Sequence, residues 1–168
     1  MVSPDLRQRT VKDCISKLSK LAAGDTDIDD PLHRSPSLSE INLRRIKASK
    51  PGGSWKDWPP EILSECHRRS TGKGYTPVYG RMEWDKPSPT LTTQCYNYGS
   101  GRFGHPEQDR AISLREAAIL QDFPDDYEFE PPGTRYPTTQ IARMIGNAVP
   151  VGLGRVIGES FIEHVRAL

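Results

Sequence analysis

Pro89-Thr90-Leu91-Thr92-Thr93, His105-Pro106-Glu107-Gln108, Arg115-Glu116-Ala117-Ala118-Ile119-Leu120-Gln121-Asp122-Phe123-Pro124 and Gly146-Asn147-Ala148-Val149-Pro150 punctuate residues 89–150, and the reading of this stretch decides the fold. Ser113 followed three residues later by Glu116 has the form of a capping box, which opens a helix over Leu114, Ala117, Ala118 and Leu120. Phe123-Pro124-Asp125-Asp126-Tyr127 stops it. Before it lies Cys95–Gly104, a Gly-rich loop carrying two tyrosines and an arginine. After it, a helix at about 139–145 is ended by Gly146. Pro150 suits the first position of a terminal helix, whose Leu153, Val156, Ile157, Phe161 and Val165 form a buried stripe. Gly154 and Gly158 leave room for another element to approach that helix closely.

Working outward, Val78–Trp84 alternates, with Val78, Gly80, Met82 and Trp84 on one side and Tyr79, Arg81 and Glu83 on the other. That period of two predicts a strand, and Asp85–Pro89 turns the chain into a second short strand at 90–94. Nearer the N-terminus, Thr10 with Asp13 begins a helix over Val11, Cys14, Ile15, Leu18 and Leu21, closed by Gly24. Ser37 with Glu40 predicts a second helix burying Leu38, Ile41 and Ile46. Pro59-Pro60 starts a third, with Ile62, Leu63 and Cys66 inward. The sum is an α+β fold: about five helices around a small antiparallel sheet, with long loops.

Composition bears on how that fold is completed. Apolar residues are 35 % of the chain and mean hydropathy is −0.65, with fifteen Pro and fourteen Gly. A compact domain ordinarily carries roughly 45–50 % apolar residues. The deficit fits a partly disordered protein or a folded piece that finishes its core against a partner, and helix signals at several separated places favour the second. Net charge is only +1 but unevenly spread. Residues 41–81 hold nine Lys or Arg against three acids, whereas 107–130 hold two basic and eight acidic residues. One surface therefore suits phosphates and another does not. Cys14, Cys66 and Cys95 form neither a metal spacing nor an even-numbered disulfide framework, and the four histidines are scattered. With no signal peptide and no long apolar run, the expectation is a cytoplasmic protein that does not cross a membrane.

Taken in order, the quoted blocks resemble the C-terminal portion of the DNA cytosine-5 methyltransferases. Thr90-Leu91 resembles that family's recognition-domain marker, Arg115-Glu116 its ninth motif, and Gly146 to Pro150 its tenth; a weaker likeness reaches back to about Thr10. The resemblance implies a target-recognition domain over residues 1–138 and a segment, 139–168, that docks on a missing N-terminal catalytic domain. It implies double-stranded DNA contacts from Thr90, Thr92, Thr93, Tyr96, Asn97, Tyr98 and Arg102. The chemistry agrees, since Arg presents a planar fork to guanine and Asn pairs with adenine in the major groove. Lys47, Lys50, Lys56, Arg68, Arg69 and Lys73 would hold phosphates. Arg115, Glu116 and Gly146 have structural roles on this reading. Asn147, Ala148 and Val149 would line the methionine end of an S-adenosylmethionine pocket only partly supplied here.

The same family attacks carbon 6 of a flipped cytosine with the thiolate of a Pro-Cys block, assisted by a Glu-Asn block. Here Asp13, Glu65 and Gln94 precede the three cysteines, and no Glu-Asn-Val occurs. Arg7-Gln8-Arg9 is only a faint match to the family's Arg-rich block. No catalytic residue is therefore assigned, and the expectation is one part of a split or truncated restriction-modification enzyme of a prokaryotic cell, inactive alone. Met1 lying close before the first helix favours a gene split over a protease fragment. The alternative is a non-enzymatic DNA-binding module or an inactive methyltransferase remnant.

Overall fold

A computed structural model describes residues 8–72, 74, 76 and 78–167. Lys73 and Arg7, both singled out above, lie outside the described residues. Among the described residues there are six α-helical segments: α1 (Val11–Ile15), α2 (Glu40–Ala48), α3 (Glu65–Arg68), α4 (Leu114–Leu120), α5 (Thr138–Asn147) and α6 (Val151–Arg166). Short 3-10 turns at Trp55–Asp57, Pro60–Ile62, Ser70–Gly72 and Tyr98–Ser100 stand between them.

Two of the three expected capping boxes form. The Thr10 hydroxyl accepts from the Asp13 amide while the Asp13 carboxylate accepts from the Thr10 amide, and Ser113 and Glu116 do the same for α4. The third does not: the cap of α2 falls two positions later, at Ser39, and makes no side-chain cap bond. α1 is also shorter than its apolar stripe. Beyond Ile15 the Ser19 carbonyl is taken by His33 Nε2 (2.9 Å) and the Ser19 hydroxyl by Asp27, so the backbone leaves the helical path. The third helix is broken into the Pro60–Ile62 turn and α3, leaving Cys66 exposed and His67 buried.

The antiparallel sheet is overturned. Among the described residues there is no strand, only four isolated bridges, at Thr26–Arg34, Pro51–Arg81, Arg81–Gly104 and Gly104–Ala111. The fold is helices and loops, and the reasons are local. Tyr79 has a φ of +56°, which breaks the extended path of 78–84. Pro87 and Pro89 cannot donate to a ladder. At the second expected strand the Cys95 amide returns to the Thr92 carbonyl (3.0 Å), making a turn.

In place of a sheet, two apolar clusters and buried polar groups hold the chain. The larger cluster gathers Val11, Ile15, Leu114, Ala117, Ala118, Ile141 and Ile145 around α1, α4 and α5, with Met82, Leu91 and Phe103 from the loops. The smaller gathers Ile46, Trp55, Trp58, Ile62, Val78 and Tyr98. Arg81 lies between them, buried, donating to the carbonyls of Ile46 and Ser49 on one side and of His105 and Gln108 on the other. Arg110 and Glu116 form a fully buried bidentate pair, both bonds 2.7 Å.

α6 departs from expectation in its surroundings. None of its residues is buried, and Val151, Leu153, Ile157, Phe161, Ile162 and Val165 are 46–68 % exposed. Nothing lies within contact of a side chain built at Gly154 or Gly158. The stripe exists, but the described residues do not cover it. No described helix is long and apolar enough to cross a membrane.

Candidate nucleic-acid interface

Leu91 is the anchor of the Thr90–Thr93 segment: its side chain enters the larger apolar cluster while Thr90 and Thr92 stay exposed. Thr90 and Thr92 line a cleft of about 420 Å³ together with Ser100, Gly101, Arg102, Phe103 and Pro89. The stem of Arg102 lies on Gly80, where an added Cβ would sit 2.7 Å from Arg102 Cγ. Arg102 Nε is buried without a hydrogen-bond partner among the described residues. A donor already stripped of water gains most when an acceptor arrives.

The remaining expected contacts are placed unevenly. Asn97 is exposed, but its side-chain oxygen accepts from the Gly99 amide (3.0 Å) and so caps the 3-10 turn. Thr93 is half-buried, and Tyr96 is half-buried against the larger cluster. Tyr98 is not at the surface. It is 1 % exposed, its hydroxyl is shared with Ser49 Oγ (2.8 Å) and donates to the Tyr79 carbonyl (3.0 Å), and its ring meets Tyr79 edge-on. Burial pushes the Tyr98 phenol up to about 12. Cys95 is also buried, in the larger cluster, which drives its thiol up to about 11, the direction opposite to that of an activated nucleophile.

Of the basic residues, Lys47, Lys50, Lys56, Arg68 and Arg69 are exposed; Arg69 pairs with Glu65 (2.7 Å) and Arg68 donates to the Pro60 carbonyl (2.9 Å). Arg45 and Arg81 are spent internally, Arg45 lying over Trp58 and Tyr79. The basic segment is thus less available than its charge count suggests.

α4 ties this region to the following helices. Glu116 accepts from Arg110 and from the Ser113 amide (2.7 Å). Burial raises its carboxyl, but the Arg110 bonds and charge outweigh that and hold it below its usual value. Arg115 donates to both oxygens of Asp30 (2.6 and 3.1 Å) and to the Tyr127 carbonyl (3.0 Å). At the far end Gln121 Nε2 donates to the Ala148 carbonyl (2.6 Å), fixing the α5–α6 elbow. Asn147 is exposed there, its amide without a partner among the described residues, and Val149 is 68 % exposed.

The matching blocks are thus joined in space as well as ordered in sequence. A sequence profile of the C-5 cytosine-specific DNA methylases matches residues 7–163. The chain belongs to that family.

Among its C-5 methylase relatives, the type II methylase M.HgiDII of Herpetosiphon aurantiacus is 56 % identical over 160 residues, covering 95 % of this chain and 45 % of the relative. The type II methyltransferase M.Sau96I of Staphylococcus aureus is 36 % identical over 138 residues, covering 80 % of this chain and 30 % of its own length. DNA (cytosine-5)-methyltransferase 3 of Arabidopsis thaliana is 32 % identical over 187 residues, covering 95 % of this chain and 13 % of its own. The chain spans less than half the length of each.

Two features of this methylase-family chain escaped the sequence reading. Arg110, the partner of Glu116, has no periodic signal, because the pair is six residues apart across a turn. Gly146 lies within α5 and is not its terminator; a Cβ there would fall within 3.0 Å of the Thr92–Thr93 backbone. At the start of α6, Asp122 accepts from the Gly152 amide (2.6 Å). Among the described residues no group of three or more His, Cys, Asp or Glu is placed to hold a metal ion.

Proposed function

We propose that this chain is the C-terminal, target-recognising part of a DNA cytosine-5 methyltransferase, completed by an N-terminal portion that carries the Pro-Cys nucleophile. The observation that carries the reading is the uncovered apolar stripe of α6, which begins beside the exposed Asn147 and continues from the body that holds the Thr90–Arg102 cleft. An apolar face of this length left open is an interface awaiting its other half. The family match over residues 7–163, against relatives of more than twice this length, supports the same division.

In this reading Thr90, Thr92 and Arg102 contact bases from the cleft, while Lys47, Lys50, Lys56 and Arg68 fix register on phosphates. S-adenosylmethionine supplies the methyl group, and this chain gives its pocket one wall. The fit rests on Asn147, whose free amide can both donate and accept, and on the apolar Val149 beside it. The whole would act on double-stranded DNA in the cytoplasm of a prokaryotic cell, as the type II names of the relatives suggest. Residues 139–168 would form the docking segment, with α5 rooted in this chain's core and α6 in the partner's.

Mixing the chain with an N-terminal portion of a related methylase and following labelled methyl transfer tests this. The expected result is transfer to DNA in the mixture and none from either piece. Transfer by this chain alone overturns the division. Sequence-selective DNA binding with no rescue by any N-terminal portion favours a non-enzymatic module instead.

A further inference from the structure

The contact between α5 and the recognition segment has a role that neither motif suggests alone. Gly146 sits against the backbone of Thr92 and Thr93 so closely that a methyl group there would come within 3.0 Å of three main-chain atoms, Thr92 C and O and Thr93 N. A flexible side chain could swing away from such a clash; peptide backbone cannot without moving its neighbours. We infer that Gly146 is a positioning residue: it seats the Thr92–Thr93 turn on the end of α5, and so sets where Thr92 stands in the DNA-reading cleft. This rests on the proposed reading of that cleft.

Which side would yield to a side chain at 146 follows from how each is held. α5 is rooted by Ile141, Ala142 and Ile145, all fully buried, and its end is tied by the Gln121–Ala148 bond. Leu91 and Cys95 anchor the ends of the turn in the larger cluster, but between them it is held, among the described residues, by the Cys95 amide on the Thr92 carbonyl (3.0 Å) and the Gln94 amide on the Thr92 hydroxyl (3.2 Å), with Thr92 itself exposed. The turn moves and the helix stays. Thr92 is then carried away from its place in the cleft it shares with Arg102, and the cleft changes shape without losing a polar group. Because Asn147 follows Gly146 directly, the same contact holds the expected cofactor wall and the base-reading segment in one register.

Gly146→Ala in the full chain tests the inference, with binding to a duplex holding the recognised site compared with binding to a scrambled duplex. The expected result is at least a tenfold loss for the specific duplex, less than a twofold change for the scrambled one, and displaced amide resonances at Thr92 and Thr93 with Ala117 and Ala118 unmoved. A variant that keeps its selectivity overturns the positioning role, provided the wild-type chain is selective. A wild-type chain that binds both duplexes equally overturns the reading of the cleft instead. If the variant does not fold, the wild type decides. Specific DNA should then perturb the Ile145–Asn147 amides together with Thr92 and Thr93, and silence at 145–147 overturns the inference.

Discussion

Arg110 and Glu116 together decide whether the interior of this chain is tolerable. Each is at most 1 % exposed, and each satisfies the other through two 2.7 Å bonds. Removing one partner strands the other without water. Arg110→Ala is therefore expected to cost about 3–5 kcal/mol, read from urea unfolding. Glu116→Gln should cost less, since its amide keeps the cap on Ser113 but loses the charge. His105 is buried 3.6 Å from Glu116, its Nδ1 accepting from the amides of Glu107 and Gln108 (3.1 and 2.9 Å). Burial pushes it down to about 4 from an ordinary 6.5, Glu116 opposing and Arg110 and Arg81 assisting. Folded chains thus refuse a proton that unfolded chains accept, so stability present above pH 6.5 is lost as pH falls toward 4. Urea midpoints should fall across that window, and His105→Asn should flatten the fall. A midpoint independent of pH would contradict a buried, neutral imidazole.

The helices show what a sequence can and cannot announce. The Ser113–Glu116 and Thr10–Asp13 boxes were legible because both bonding partners lie within one turn of each other. Ser37–Glu40 has the same form, yet the cap of α2 is Ser39. The alternation of 78–84 was equally plain, but a strand needs a ladder, and pairing partners are set by the rest of the fold. Arg81 turned inward instead, donating to the carbonyls of Ile46 and His105 from distant segments. In the site, Thr90 and Arg102 were legible as candidates and do share a cleft, whereas the burial of Tyr98 depends on Ser49 and Tyr79 from distant loops. The stripe of α6 was read correctly as apolar; periodicity says that a face is apolar and nothing of what covers it. It follows that Leu153→Lys or Phe161→Asp should change the stability of the isolated chain by less than about 0.5 kcal/mol, the range of ordinary surface changes. The same substitutions should abolish methyl transfer in the mixing assay. Large destabilisation of the isolated chain would show the stripe to be covered after all.

At the scale of the whole molecule, charge and packing divide the work. The basic stretch 41–81 keeps Lys47, Lys50, Lys56, Arg68 and Arg69 outward and turns Arg45 and Arg81 to internal use. The acidic stretch 107–130 is drawn partly into structure, with Glu116 on Arg110, Glu130 on Arg34 (3.1 Å) and Asp122 on the start of α6. Arg81 has the widest reach, because one guanidinium bonds the carbonyls of Ile46, in the smaller cluster, and Ser49, and those of Gln108 and His105, whose ring meets Trp84 at the edge of the larger cluster. A joint of that kind governs how the molecule comes apart. With it intact, a calorimeter should record one melting endotherm, both clusters releasing their heat together. Arg81→Ala should split the trace, the Trp55–Trp58 cluster melting first and the α1–α4–α5 body later, so that a single hinge-pin residue separates one cooperative unit from two.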